Sequence, residues 1–246
     1  MAATPHPPRN IQKPHQTPTT RAYDFWLARI AILVVILLQL GFVNDLTLGP
    51  RWLAPSFEFA LLILLSVGTA WTQKRATGAT TSDHWLQVGK ARRGVRVLAV
   101  GLTAIVTLMN LGALGRLIEA ILAGHAAAGR TLLLDAVNIW LTNVVIFALW
   151  YWALDRGGPT GRGLVKHPQI DFLFTQQQPI LKNPEWVNWS PGFIDYLFLA
   201  FTNATAFSPA DAFPLTARAK LLMMAEASIS LTTIAIVASR AVGILS

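Results

Sequence analysis

The sequence predicts an all-α, polytopic transmembrane helix bundle, with about five spans plus a short re-entrant or half-length helix near 192–207. Two observations carry that expectation. Of 246 residues, 53% are hydrophobic and only 13% are charged, whereas soluble domains carry roughly 25% charged residues. The apolar residues also gather into runs of about 20, the length that crosses a hydrocarbon core of about 30 Å.

Residues 1–24, MAATPHPPRNIQKPHQTPTTRAYD, are rich in Pro and Thr. They are too polar to bury a core, so a disordered polar tail is expected. Phe25–Val43 is the first span, full length and without a small-residue cleavage site, and reads as a retained anchor. Trp52–Trp71 is the second, with an indole at each end where the membrane interface favours it. The basic segment TQKRATGATTSDHWLQVGKARRG follows, with a helix N-cap signal at Ser82 and Asp83. Val95–Leu114 is the third span. Beyond it, Leu117, Ile118, Ala120 and Ile121 set against Arg116 and Glu119 make a short amphipathic piece. Leu132–Leu154 is the fourth span, closing on Trp150-Tyr151-Trp152, and completes a four-helix region over 25–154.

Residues 155–191 are broken by Gly and Pro and read as a loop. Their GGPTGRG stretch lacks the Gly-Lys-Ser/Thr end of a phosphate-binding loop and reads as flexible chain. In 192–246, Gly192–Phe207 is too short to cross alone and holds Asp195, Thr202 and Asn203, so its helix is expected to end inside the membrane or at its edge, against other protein. Leu221–Leu245 is the last span.

The net charge of +8 sits mainly between the spans. Summed over alternate segments, the tail, the second loop and the fourth loop hold 13 Lys and Arg residues against 3 in the others. That bias predicts a cytoplasmic N-terminus. No basic cluster interleaves with stacking aromatics, so no nucleic-acid partner is expected. There is no cysteine, and His6, His15, His84, His125 and His167 show no ligand spacing. No metal site and no cofactor are therefore expected. Paired carboxylates, a nucleophile elbow and HExxH are all missing, and the reading is that the chain is not an enzyme.

From Asp195 to Gly243 the residues DYLFLAFTNAT, Asp211, Pro214, Arg218 and Lys220, MAEA with Glu226, and SRAVG with Arg240 and Gly243 follow an ordered pattern. It resembles the pore module of two-helix potassium channels. Together with IWLTNVVIFALWYWALDRGGP, the same stretch is similar to an uncharacterised family of bacterial multi-pass inner-membrane proteins with a DYLYFSFT signature. The resemblances imply a pore-loop hairpin at 192–246, an inner-membrane location and a channel-like activity in a homo-oligomer, with the lipid bilayer as surroundings. The selectivity glycines are replaced by Phe207-Ser208-Pro209. Proline fixes φ and phenylalanine resists positive φ, so a potassium-type carbonyl ring cannot form. A weakly selective pore lined by Thr202, Asn203 and Thr205 is the remaining channel reading. The alternative is a non-conducting scaffold or partner-binding subunit that keeps the hairpin for packing.

A channel's inner helix ends in the cytoplasm. With a cytoplasmic N-terminus, either 192–207 crosses fully, or the hairpin dips in from the cytoplasmic side and leaves the C-terminus outside. Arg218 and Lys220 favour the second arrangement. Glu226 is the strongest candidate site, because an ionisable side chain inside an apolar helix is costly. It is either a cation or proton site, or a structural group bonded to the short helix or to Arg218 or Lys220. Asp211 either caps the last helix or binds a cation at a pore mouth. Asp195 is expected to serve the positive end of the short helix. Asn110, Asn138 and Asn143 are expected to bond across helices, Ala235, Ser239 and Gly243 to form a smooth packing face, and Arg240 to snorkel to the interface.

Overall fold

The structure, a computed structural model, describes residues 22–41, 50, 52–77, 82–123, 129–159, 169–178, 189–205 and 211–245. The tail up to residue 21, the Phe207-Ser208-Pro209 break, most of GGPTGRG and the Arg240 side chain lie outside the described residues.

The chain is mostly helical. In order come α1 Ala22–Gly41, α2 Leu53–Thr77, α3 Ser82–Leu122, α4 Gly129–Leu154, β1 Phe172–Phe174, α5 Phe193–Ala204, β2 Ala212–Pro214 and α6 Ala217–Leu245. Among the described residues, three stretches, Arg93–Leu122, Thr131–Gly157 and Ala217–Ser239, are long and apolar enough to cross a membrane. By that length and composition the chain is a membrane protein. Leu53–Gly68 and Phe193–Ala204 are shorter apolar helices. Leu108 and Leu111 on α3 and Leu221 and Leu231 on α6 face outward, a surface that suits lipid better than water.

Helix α3 starts at the anticipated Ser82 but runs unbroken for 41 residues. It absorbs the later part of the basic segment from Ser82 on, the third span and the amphipathic piece. No proline interrupts 82–122, and each glycine costs a helix only about 1 kcal/mol, which weakens it without ending it. At 1.5 Å per residue it extends about 60 Å, more than a bilayer core.

Helix α4 is the hub: 67% of its apolar window is buried, against 22% in α3 and in α6. Its neighbours run opposite to it. On α3, Arg96 meets Ala153 and Asn110 meets Ile139. On α6, Arg218 meets Leu154 and Asn143 meets Ser230. Phe25, near the start of α1, packs against Trp152 near the end of α4, with ring centroids 5.3 Å apart. Thus α1, α3, α5 and α6 point one way, and α2 and α4 the other. The start of α1, the end of α4 and the starts of α5 and α6 share one end of the bundle.

An aromatic cluster closes that end. Trp152 meets Phe193 at 5.3 Å, Tyr151 meets Phe172 at 5.0 Å and Phe174 meets Tyr196 at 5.4 Å. Such pairs each add about 0.5–1.5 kcal/mol beyond burial. Two of these rings come from a ladder the sequence reading does not contain. β1 pairs antiparallel with β2, Phe172 opposite Pro214 and Phe174 opposite Ala212. The two-residue side-chain period turns both phenylalanines of β1 inward, where they are buried. Between α4 and β1 the chain turns sharply through Arg156, Gly157 and Gly158, with φ of 55°, 81° and 75°. Two glycines supply left-handed backbone there at little steric cost. Arg156 adopts it against its preference and is held by its side chain.

Candidate functional site

Two buried polar assemblies tie α4, α5 and α6 together. The inner one centres on Glu226, which is fully buried on α6. Tyr151 on α4 donates its hydroxyl to Glu226 Oε2. Asn203, near the end of α5, donates to the same oxygen at 2.6 Å and to the Met223 carbonyl at 3.0 Å. Asn143 on α4 donates to the Glu226 carbonyl at 3.3 Å and to Ser230 Oγ at 2.9 Å. Glu226 Oε1 is buried without a hydrogen-bond partner among the described residues. A carboxylate in such a place needs a proton or a cation to offset its charge.

The five candidate positions therefore separate. Glu226 and Asn203 are brought together. Thr202 Oγ1 bonds to the carbonyls of Phe198 and Leu199, at 2.9 and 3.0 Å, and Thr205 Oγ1 to those of Phe201 and Thr202, at 3.0 and 3.1 Å. Both hydroxyls face back into their own helix. Asp211 lies at the start of β2, where its carboxylate accepts from Thr175 Oγ1 at 3.0 Å and its carbonyl from the Thr175 N–H at 3.0 Å. It does not cap α6, which begins six residues later. Thr216 does so, its hydroxyl accepting the Ala219 N–H at 3.3 Å.

Asp195 behaves as expected at the start of α5, accepting the Gly192 N–H at 2.6 Å. Burial pushes its carboxyl up from the ordinary range, while that hydrogen bond pulls it down. A second carboxylate serves the same helix end: Asp24 on α1 accepts the Phe193 N–H at 3.2 Å. Helix α5 is thus pinned at both ends, by carboxylates where it starts and by Asn203 where it finishes. Among the expected bridging amides, Asn110 reaches the Ile139 carbonyl at 3.2 Å and Asn143 reaches α6. Ala235 and Ser239 are exposed on α6, so no described residue covers this part of the small-residue face.

The outer assembly went unnoticed in the sequence. Fully buried Asp155 accepts the Asp171 N–H at 2.8 Å, the Phe172 N–H at 3.4 Å, the Tyr196 hydroxyl at 2.5 Å and Arg156 Nε at 3.1 Å. Buried Asp171 accepts the Thr216 hydroxyl at 2.5 Å and Arg218 Nε at 2.7 Å, and its second oxygen pairs with Arg218 Nη2. Arg218 therefore belongs to Asp171 and not to Glu226, and the pair is a bidentate fork. Arg156 in turn holds β1 through the Phe172 carbonyl at 3.3 Å and the turn after it through Gln177 Oε1 at 2.5 Å. This latch fixes the end of α4 to the starts of α5 and α6, and so sets the depth at which Asn203 and Glu226 meet.

The signal for Tyr151 was weak, since an aromatic closing a span suits the interface as well as a buried hydrogen bond. Compared with known proteins, the chain matches no family model, no curated protein and no solved structure.

Proposed function

We propose that this chain is a bacterial inner-membrane protein that crosses the bilayer five times and passes a small cation or a proton, with weak selectivity, past Glu226. In this reading α5 is a half-length helix that enters from the end where α1 starts, and the α5–α6 hairpin is a pore-loop relative without a potassium filter. The N-terminus is cytoplasmic and the α6 C-terminus lies outside, and copies assemble in the bilayer as a homo-oligomer. The observation that carries the proposal is the Glu226 site itself. A fully buried carboxylate has one oxygen held by Tyr151 and Asn203 and the other without a protein partner. Intramembrane ionisable groups on bundle-facing surfaces mark ion and proton pathways by default.

The test is flux in liposomes reconstituted with the full chain, under proton, sodium and potassium gradients, with a working channel as control. Flux in the wild type that falls at least about tenfold in Glu226→Gln supports the reading. No flux under any gradient, while the control conducts, sinks it.

One observation favours the competing reading of a non-conducting scaffold: Thr202 and Thr205 bond to their own helix and Glu226 has no exposed surface. Under it, substitutions at Glu226 and Asn203 lower the amount of folded protein and change nothing else.

A further inference from the structure

We propose that Glu58, Gln39, Asn138 and Thr142 form a second site, which binds one monovalent cation of the sodium class between α1, α2, α3 and α4. The site is remote in sequence from the Glu226 hairpin and does not depend on conduction there.

The geometry begins with Glu58, which sits in the first turns of α2 and is 3% exposed. Gln39, at the end of α1, donates Nε2 to Glu58 Oε1 at 2.7 Å. No basic side chain pairs with Glu58 among the described residues. Beside it lies a cavity of about 30 Å³ bordered by Gln39, Glu58, Asn110, Asn138 and Thr142. That is room for an ion or a water molecule, which needs about 10–15 Å³. Four oxygens on this wall are buried without a hydrogen-bond partner among the described residues: Gln39 Oε1, Glu58 Oε2, Asn138 Oδ1 and Thr142 Oγ1.

Thr142 decides between a packing accident and a built site. A threonine inside a helix ordinarily donates its hydroxyl to the carbonyl four residues back. Thr103, Thr107, Thr202, Thr232 and Thr233 all do so here, at 2.7 to 2.9 Å. Thr142 does not. Its hydroxyl stays with the cavity, where its lone pairs join those of the two amides and the carboxylate.

The donor set selects the ligand. All four atoms are oxygens, which suits a hard cation and not a transition metal. Glu58 is the only carboxylate bordering the cavity among the described residues, so one positive charge neutralises the site. A divalent ion would leave a net charge buried, at a large desolvation cost. An anion would face the carboxylate and three further lone-pair oxygens. Asn110, tied to the Ile139 carbonyl at 3.2 Å, holds the α3 wall against α4 and keeps the cavity open.

Equilibrium binding of radioactive sodium to the detergent-solubilised full chain, in choline chloride, tests the site. Saturable binding is expected, abolished in Glu58→Gln and weakened roughly tenfold or more in Thr142→Val. Thr142→Val keeps the shape of the side chain and removes only the oxygen, so it carries the conclusion if Glu58→Gln fails to fold. Binding in Ser228→Ala, an exposed position on α6 whose hydroxyl bonds to its own helix, is expected to match the wild type, which controls for substitution in the hairpin. Three results would overturn the proposal: no saturable sodium binding by the wild type, as for a cavity holding water alone; binding undiminished by Thr142→Val; or calcium displacing sodium at lower concentration than sodium itself.

Discussion

Removing the Asp155 carboxylate should unfasten the end of the bundle where α4, α5 and α6 meet. Asp155 is fully buried and accepts from two backbone N–H groups, a tyrosine hydroxyl and a guanidinium. Asp155→Ala strands the Asp171 N–H and the Tyr196 hydroxyl away from water, at about 1–3 kcal/mol each. The Phe172 N–H, at 3.4 Å, adds little, and the Arg156 side chain reaches some solvent, so its loss is partly recovered. The total is about 3–5 kcal/mol. Asp155→Asn keeps one acceptor oxygen for the backbone N–H groups; it loses the acceptor for Arg156, while the Tyr196 hydroxyl can turn to accept from the new amide, at about 1–2 kcal/mol. For a chain of this size each kcal/mol lowers Tm by about 2–4 °C, so the alanine variant should melt on the order of 10 °C lower and the asparagine variant only a few degrees lower. The assay is heating in detergent followed by size-exclusion chromatography of the surviving folded fraction. An alanine variant that melts with the wild type, or an asparagine variant that melts with alanine, refutes the view that Asp155 organises the latch through accepted hydrogen bonds.

Gly158→Ala should cost about 1–3 kcal/mol, because at φ 75° the new Cβ would stand 2.6 Å from the Ala153 carbonyl oxygen; a wild-type melting curve would show that the turn yields. Asn203→Leu removes the bonds to Glu226 and the Met223 carbonyl and should lower stability by about 2–3 kcal/mol, whereas Thr202→Val should stay within about 0.5 kcal/mol. If Thr202→Val alters flux without altering stability, its hydroxyl reaches a permeation path after all. Reporter fusions at the two termini should score in opposite compartments, since α1 and α6 point the same way along the bundle; matching signals would require another crossing and undo the half-length reading of α5.

The helices were legible because apolar runs and their interruptions are local signals. Ser82 begins α3 as the N-cap rule expects, and Asp195 meets the start of α5. The ladder was not legible. Three-residue strands carry no usable period, and Phe172 finds Pro214 across some forty residues whose pairing no local pattern announces. Glu226 stood out as a carboxylate inside an apolar helix, and Asn203 as an amide in a short one. Their third partner, Tyr151, could not, because an aromatic at a span's end has two uses. Asp155 and Asp171 sit among glycines and prolines, where acidic residues are ordinary, so nothing marked them as a buried pair of acceptors. Glu58 is different: it lies inside the second apolar run and carries the same signal as Glu226. What the sequence alone does not supply is Gln39 and Thr142 beside it, since they come from different helices.

The two carboxylate sites are divided by α4, and its sequence shows how. Thr142 and Asn143 are neighbours, and consecutive residues on a helix point about 100° apart. Thr142 faces the cavity beside Glu58, while Asn143 bonds to Ser230 on the Glu226 helix. Along the axis, Tyr151 at Glu226 and Thr142 at Glu58 lie nine residues apart, about 13 Å. One site is therefore nearer the latched end of the bundle and the other nearer the opposite end, on different faces of the most buried helix. A cation resident at Glu58 would stabilise the packing of α1 and α2 on α4 without lying on a straight path through the α5–α6 hairpin.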